Sequence, residues 1–268
     1  MNLIDIQALV IDMDGVLWRG ETPLPGLVEF FDFMRSQPLP FVLATNNARK
    51  TPAQYLSRFA GYGVTITPEN VMTSSLATAA YLRNELEPGS AVYVVGEDGV
   101  REAMRGVGFT VLEDAGQPAA AVVAGIDFTL SYDKLKYATL HIQRGARFVG
   151  TNSDLTFPAE DGLYPGAGSI LAAIQAATGV EPVTVGKPGR QMFDVAVQRM
   201  GSDPARTAMI GDRLETDILG GQRAGLKTIL VTTGVDNEDS IETLGIRPDL
   251  IVSGIAELTQ RWQELLAG

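Results

Sequence analysis

The chain has 268 residues, of which 45% are hydrophobic and 20% are charged, so it can bury a large core and is not disordered by composition. Its net charge of −11 argues against a broad surface for nucleic acid or anionic membranes, although it allows a local positive pocket. The absence of cysteine excludes disulfides, thiol catalysis and thiolate metal sites.

The first residues, MNLIDIQALVIDMDG, lack the basic region and the small-residue cleavage site of a signal peptide. No apolar run approaches the roughly 20 residues that a membrane-spanning helix needs. We therefore expect a soluble, cytoplasmic protein that has neither a nucleic-acid nor a membrane partner.

The first part of the chain alternates short β-branched runs with longer helical patterns. ALVIDMD (8–14) predicts a buried strand, and PGLVEFFDFMRSQ (25–37) predicts an amphipathic helix. PFVLATNN (40–47) predicts a second strand, and TPAQYLSRFAGYG (51–63) predicts a second helix that ends at a glycine. The stretch ENVMTSSLATAAYLRNEL (69–86) is expected to be helical throughout.

The middle of the chain repeats this alternation. Strands are predicted at SAVYVVGE (90–97), FTVLED (109–114), AAVVAGI (120–126) and ARFVGTN (146–152). Helices are predicted at DGVREAMRGVG (98–108), SYDKLKYATLHIQRG (131–145) and AGSILAAIQAATG (167–179). We therefore expect residues 81–182 to form an inserted α/β domain, flanked by residues 1–80 and 183–268 as one discontinuous core.

The last part of the chain returns to the same pattern. Strands are predicted at TAMIGDR (207–213), KTILVTTG (227–234) and DLIVSG (249–254), and a helix is predicted at TDILGGQRAG (216–225). This rhythm is typical of an α/β fold in which helices cover both faces of a parallel sheet.

Two aspartates, Asp12 and Asp14, end the first predicted strand. In open parallel sheets, ligands bind outside the carboxyl ends of the strands. Two carboxylates at such a place repel each other unless a cation neutralises them, and Mg²⁺ prefers oxygen ligands. A pair of solvated turn aspartates explains the bare D-x-D-G pattern equally well.

Polar residues also follow two other predicted strands, and one lies in a loop between predicted elements. Thr45 and Asn46 offer hydroxyl, amide and backbone donors to an oxyanion, and Lys187 offers an ammonium group in a glycine- and proline-rich loop. Asp212 follows a strand, and Asp217 lies in the first turn of the next predicted helix, where ordinary capping is the alternative explanation. Solvated loops do not easily explain all of these features together.

Four segments, DMDGV, ATNN, VGKP and GDRLETD, resemble the motifs of the haloacid dehalogenase superfamily, in order and across the whole chain. The resemblance implies a Rossmann-like parallel-sheet core and a Mg²⁺-dependent phosphatase. Asp12 would be the nucleophile that forms an aspartyl-phosphate, and Asp14 would be the general acid and then the general base. Thr45 and Asn46 would hold phosphate oxygens, and Lys187 would stabilise the negative charge.

The same resemblance assigns the metal site. Asp12, the backbone carbonyl of Asp14 and Asp212 would bind Mg²⁺, while Asp217 would support them through water or Lys187. Arg213, beside the metal aspartate, would reach substrate or cap. A general acid at position 14 favours phosphate-ester chemistry over dehalogenation.

The long insertion before Lys187 resembles the large α/β cap of the NagD and p-nitrophenyl phosphatase branch. Its segment GTNSDLTFPAEDGLYPGAGSILAAI (150–174) is similar to a signature of that branch, whereas Gly189 and Arg190 depart from the usual pattern. Asn152, Asp154 and Glu160 are candidates for contacts with the leaving group, and solvated loop or capping residues are the alternative for each. Such a cap would restrict the substrate to a small phosphorylated metabolite, and pairing through it would give a homodimer.

Other functions stay open at this point. A phosphomutase or phosphotransferase would use the same aspartyl-phosphate, a phospho-accepting signalling module would use similar strand-end residues, and a silent binding protein is a third alternative. The lone histidine, His141, has apolar residues at helical spacing around it, and we expect it to be structural. We expect Trp18 to close the core rather than to stack on substrate.

Overall fold

The computed structural model describes residues 1–48, 50–159 and 162–268. The chain forms two compact units. The first unit contains Met1–Thr45, Pro52–Met72 and Phe193–Gly268, and the second contains Asn46–Thr51 and Thr73–Met192. The division into a catalytic core (1–80 and 183–268) and a cap that selects the substrate (81–182) stays a prediction.

The strands of the described residues are short, and most carry β-branched or other apolar residues. They are β1 (Ala8–Ile11), β2 (Trp18–Arg19), β3 (Thr22–Pro23), β4 (Phe41–Thr45), β5 (Val71–Thr73), β6 (Ala91–Val95), β7 (Thr110–Leu112), β8 (Ala121–Ala124), β9 (Arg147–Gly150), β10 (Thr156–Ala159), β11 (Gly162–Pro165), β12 (Val183–Thr184), β13 (Thr207–Gly211), β14 (Lys227–Val231) and β15 (Leu250–Val252).

The helices of the described residues alternate with these strands. They are α1 (Leu27–Ser36), α2 (Pro52–Gly61), α3 (Ser74–Glu85), α4 (Asp98–Gly106), α5 (Tyr132–Gln143), α6 (Ala167–Thr178), α7 (Arg190–Met200), α8 (Leu219–Arg223), α9 (Glu238–Leu244) and α10 (Ile255–Ala267). Short 3₁₀ turns lie at Leu3–Asp5, Pro68–Asn70 and Pro204–Arg206, and a π-helical turn lies at Leu214–Ile218.

The first unit is built on a six-stranded sheet in the order β15-β14-β13-β1-β4-β5. The strand β1 is central and pairs in parallel with both β13 and β4, so that Val10 lies opposite Met209 and Val42. All four residues of β1 are buried, as expected for a strand that is covered on both faces. Because β13, β1 and β4 are parallel neighbours, their carboxyl ends lie side by side.

The second unit has its own five-stranded sheet in the order β12-β9-β8-β6-β7, in which every pair is parallel. Its central strand β8, Ala121–Ala124, is completely buried. Helices α5 and α6 supply Ala138, Ile142, Ile170 and Ile174 to the core on this sheet. The predicted α/β alternation is therefore confirmed in both units.

One predicted helix is wrong at its beginning. Residues 69–86 were expected to be helical, but Val71–Thr73 form the edge strand β5, and the helix begins at Ser74. Val71 and Met72 are fully buried, so burial against the sheet outweighs the helical pattern. The side chain of Thr73 accepts the N–H of Leu76 at 3.3 Å and so caps the helix that follows.

A second predicted helix is not uniform. Within 216–225 the chain first completes the π-helical turn Leu214–Ile218 and then forms the short helix α8. A π turn inserts an extra residue into the helical repeat and is frequently found at functional sites. This turn contains Asp217.

The core of the first unit is rich in aromatic rings. Trp18 is fully buried, and its ring lies 5.1 Å from that of Phe59, so the expectation that it closes the core is confirmed.

Among the described residues, no helix combines the length and the apolar character that crossing a bilayer requires.

Candidate active site

Three of the predicted residues lie at adjoining strand ends of the first unit. Asp12 directly follows β1, Asp212 directly follows β13, and Thr45 is the last residue of β4. The strand order places β1 between β13 and β4. Parallel pairing thus brings together residues that lie far apart along the chain.

A cluster of three carboxylates forms at this edge. Asp12, Asp212 and Asp217 each offer one oxygen, and these oxygens all lie within 4.8 Å of one another. The three residues are 8%, 2% and 1% exposed, respectively. Three buried carboxylates at this separation repel one another strongly, and a bound cation removes that cost.

Backbone N–H groups orient two of these carboxylates. The N–H of Val235 donates to Oδ2 of Asp212 at 2.8 Å, and the N–H of Arg213 donates to Oδ2 of Asp217 at 3.1 Å. The carboxylate of Asp236 accepts the N–H of Leu214 at 2.8 Å, at the beginning of the π-helical turn. The turn that carries Asp217 is therefore fixed at its first residue.

Glycines leave the space that this cluster occupies. A Cβ atom at Gly15 or at Gly234 would collide with the carboxylate of Asp212, and one at Gly211 would collide with Asp217. Gly15 also has a φ of +88°, which disfavours any side chain there. The cluster therefore lies in a cradle that admits no larger residue at these three positions.

The residues fit a hard divalent cation. All three side chains offer only oxygen ligands, which Mg²⁺ prefers, and no sulfur or histidine nitrogen competes within the cluster. The surrounding N–H donors and the glycine cradle hold these oxygens close together, and the resulting repulsion is offset by a bound positive charge.

Asp14 lies just outside the buried cluster and is exposed. Its Oδ1 accepts a hydrogen bond from the indole Nε1 of Trp18 at 2.8 Å, and the N–H of Gly15 donates to the carbonyl of Trp18 at 2.8 Å. The guanidinium of Arg58 lies 4.0 Å from the centre of the Trp18 ring. A buried aromatic residue thus fixes one oxygen of the exposed Asp14 carboxylate.

Thr45 is 4% exposed and lies beside Tyr55, a residue that the sequence analysis did not single out. Burial raises the pKa of the Tyr55 phenol far above its ordinary value, the nearby charge of Asp14 raises it further, and the hydrogen bond with Thr45 acts in the opposite direction. Tyr55 therefore stays neutral. Its only sequence signal is a buried position on the apolar face of α2.

Asn46 and Lys187 belong to the second unit, where hydrogen bonds join them directly. Oδ1 of Asn46 accepts the N–H of Lys187 at 2.8 Å, and Nδ2 of Asn46 donates to the carbonyl of Lys187 at 2.8 Å. Nδ2 also donates to Oδ2 of Asp154 at 3.2 Å, and Asn152 donates to the backbone carbonyl of Asn46 at 3.0 Å. Two of the three cap candidates thus lie next to the lysine loop, and Glu160 lies outside the described residues.

Two further residues that the sequence analysis discussed are Arg213 and His141. Arg213 is exposed, and the structure defines a role only for its backbone N–H, so its contact with substrate or cap stays a prediction. His141 is buried in the second unit, with Nε2 3.0 Å from the carbonyl oxygen of Asp114 and its ring 5.1 Å from that of Tyr93. His141 is therefore part of a core, as expected.

The structure also places residues that sequence reasoning missed. Gly234, Val235 and Asp236 form the loop after β14 that holds Asp212 and the π-helical turn. The sequence signal was the TTG segment at the end of a predicted strand, but nothing local showed that this loop would contact Asp212, 23 residues before Val235.

Comparisons with known proteins agree with this geometry. A model of haloacid dehalogenase-like hydrolases matches residues 9–110, and a model of HAD-hydrolase-like proteins matches residues 184–258. The 5′-nucleotidase YutF of Bacillus subtilis is 36% identical over 248 residues, which cover 92% of this chain and 95% of YutF.

Two solved structures are similar over nearly the whole chain. The p-nitrophenyl phosphatase from Archaeoglobus fulgidus has a TM-score of 0.89 at 30% identity, covering 96% of this chain and 99% of that one. NagD from Escherichia coli K-12 has a TM-score of 0.86 at 35% identity, covering 94% and 98%. The chain therefore belongs to the haloacid dehalogenase-like hydrolases and is an enzyme of their phosphatase branch that includes NagD and the p-nitrophenyl phosphatases.

Proposed function

We propose that this hydrolase is a Mg²⁺-dependent phosphatase that cleaves small phosphomonoesters through an aspartyl-phosphate on Asp12. The observation that carries the proposal is the buried cluster of Asp12, Asp212 and Asp217 at the carboxyl ends of β1 and β13. A 5′-nucleotidase and a p-nitrophenyl phosphatase among the similar proteins support a phosphomonoester as the substrate.

The metal would be held by Asp12, Asp212 and the backbone carbonyl of Asp14, with Asp217 adjoining them. When bound there, Mg²⁺ supplies positive charge that offsets the repulsion between a carboxylate and a phosphate dianion. The remaining roles fall to side chains of this chain.

In the first step, a carboxylate oxygen of Asp12 attacks the phosphorus atom. The bond between phosphorus and the ester oxygen breaks, and Asp14 gives its proton to the departing alcohol. In the second step, Asp14 takes a proton from water, whose oxygen attacks the same phosphorus atom. The acyl phosphate bond then breaks, which restores the carboxylate of Asp12 and releases inorganic phosphate.

Other residues are assigned to bind the phosphate oxygens and to offset their negative charge. Thr45 lies at the end of β4, beside β1, where its hydroxyl would donate to a phosphate oxygen. Lys187 would offset negative charge as a point charge, and Arg213 would contact the substrate or the cap. The side-chain amide of Asn46 is bonded to Lys187 and Asp154, so we do not assign that amide to phosphate oxygens.

The remaining expectations also belong to the proposal. We infer a cytoplasmic enzyme that acts on a small phosphorylated metabolite and pairs through its second unit. Exposed apolar side chains of that unit, including Tyr132, Leu155 and Leu163, support such pairing. Light scattering during gel filtration tests it, since a monomer at micromolar concentration would contradict the dimer.

The central experiment is release of phosphate from p-nitrophenyl phosphate in the presence of Mg²⁺. We expect activity that EDTA abolishes and that Asp12→Asn reduces at least about 10³-fold, since the nucleophile is lost. Asp32→Asn is the matched control, because Asp32 is an exposed helix residue paired with Arg35. Activity that survives Asp12→Asn would contradict the nucleophile, and an isomerised sugar phosphate in place of free phosphate would identify a mutase.

A further inference from the structure

The side chain of Asn46 binds both polar backbone groups of a single residue, Lys187. Its Oδ1 accepts the N–H at 2.8 Å, and its Nδ2 donates to the carbonyl at 2.8 Å. The second hydrogen of Nδ2 points to Oδ2 of Asp154 at 3.2 Å. The amide orientation is fixed by this network, because the nitrogen faces two acceptors and the oxygen faces a donor.

The backbone of Asn46 is bound within the same unit. Its carbonyl accepts the side chains of Asn152, at 3.0 Å, and of Ser74, at 2.8 Å. Gly186, just before Lys187, lies so close that a Cβ there would be 2.7 Å from Oδ1 of Asn46. Asn46 therefore joins the lysine loop to helix α3 and to the segment that contains Asn152 and Asp154.

We propose that Asn46 is a positioning residue that fixes the backbone of Lys187 and couples it to Asp154. The inference rests on the proposed function, in which the ammonium of Lys187 offsets the charge of the phosphoryl group. Lys187 is only 3% exposed, so its side chain extends from a backbone that is itself confined. A small displacement of that backbone moves the ammonium, and charge stabilisation depends steeply on such placement.

A double-mutant cycle on activity separates positioning from direct substrate contact. We expect Asn46→Ala to lower kcat by about tenfold to hundredfold and to change KM less than about threefold, since the interaction serves the transition state. Asn46→Ala should cost almost nothing in a Lys187→Met background, because the residue that it positions is already gone. Full additivity of the two changes, or a raised KM at unchanged kcat, would overturn the inference.

Hydrogen exchange gives a readout that does not depend on activity. We expect the N–H of Lys187 to exchange at least about tenfold faster in Asn46→Ala, because its acceptor is removed. The N–H of Met192, which donates to Val185 at 3.1 Å in the same loop region, should keep its rate. An unchanged rate at Lys187, or equal acceleration at both sites, would overturn the inference.

Ser75→Ala is the matched control, because the Ser75 hydroxyl also bonds to a loop carbonyl, that of Ala48 at 3.1 Å, without reaching Lys187. We expect this variant to keep kcat and the exchange rate of Lys187. If the wild-type enzyme released no phosphate, the proposed function would fail, while the exchange measurement would still decide whether Asn46 fixes the lysine loop.

Discussion

The indole Nε1 of Trp18 donates a hydrogen bond of 2.8 Å to Oδ1 of Asp14, the proposed general acid. An indole N–H can only donate, so Oδ1 must accept in either protonation state of the carboxyl group. In the proposed mechanism, the proton that Asp14 transfers would therefore be carried by Oδ2. A residue of the core thus orients a residue of the site, four positions earlier in the chain.

The first prediction concerns Trp18→Phe, which keeps an aromatic ring against Phe59 and under Arg58 but removes the N–H. A lost hydrogen bond of this type is worth about 1 kcal/mol. Turnover of a substrate with a poor leaving group, such as an alkyl phosphate, should therefore fall about fivefold. Turnover of p-nitrophenyl phosphate should fall less, because its leaving group needs little protonation. Equal losses for the two substrates would contradict the orienting role.

The second prediction concerns Gly234→Ala. The added Cβ would collide with the carboxylate of Asp212, so Asp212 must shift from its position in the cluster with Asp12 and Asp217. We expect the affinity for Mg²⁺ to fall about tenfold to hundredfold, as measured by calorimetric titration.

Gly61→Ala is the control for this substitution. Gly61 is the last residue of α2, and a Cβ there meets no atom within 4 Å. We expect the control to keep its Mg²⁺ affinity and to gain as much as about 1 kcal/mol of stability, because alanine favours helices. Wild-type affinity in Gly234→Ala would show that Asp212 does not need this cradle.

The third prediction concerns the repulsion among the three carboxylates. In the metal-free protein, Asp217→Asn removes one of three crowded negative charges, so its Tm without Mg²⁺ should exceed that of the wild type. Saturating Mg²⁺ at about 100 Kd should stabilise the wild type by about 2.7 kcal/mol and the variant by less. Thermal unfolding with Mg²⁺ and with EDTA measures both effects, and equal Mg²⁺ shifts would contradict a role of Asp217 in the metal site.

The fourth prediction concerns the pH dependence of stability in the second unit. Burial acts to raise the pKa of Asp127, but hydrogen bonds from Lys134 and Thr129 outweigh it and hold the pKa below its usual range. A lowered pKa in the folded state stabilises the protein above the unfolded pKa of about 3.9, and this stabilisation is lost as the pH falls through the folded pKa.

Asp127→Asn should therefore lower the free energy of unfolding at pH 7 by about 2 kcal/mol, since Lys134 then lacks its charged partner. The difference from the wild type should shrink as the pH falls below about 4. Urea unfolding at several pH values measures this difference. A gap that stayed constant down to acidic pH would show that the charge of Asp127 contributes nothing.

The sequence alone determined the alternation of strands and helices and the positions of Asp12, Thr45 and Asp212 at strand ends. These features are local, because buried strands are apolar runs and polar residues mark where each run stops. The helical interpretation failed for Val71–Thr73, which adjoin a helical pattern but include two β-branched residues and are buried at the edge of the sheet.

Only the tertiary structure decided which distant residues meet. Asp217 could have been an ordinary helix-capping residue, but the π-helical turn brings it to the cluster with Asp12 and Asp212. Gly234 lies against Asp212 because β14 pairs with β13, and Asn46 bonds to Lys187 across a separation of 141 residues. Such contacts depend on strand order and on packing between segments, which no local pattern of residues encodes.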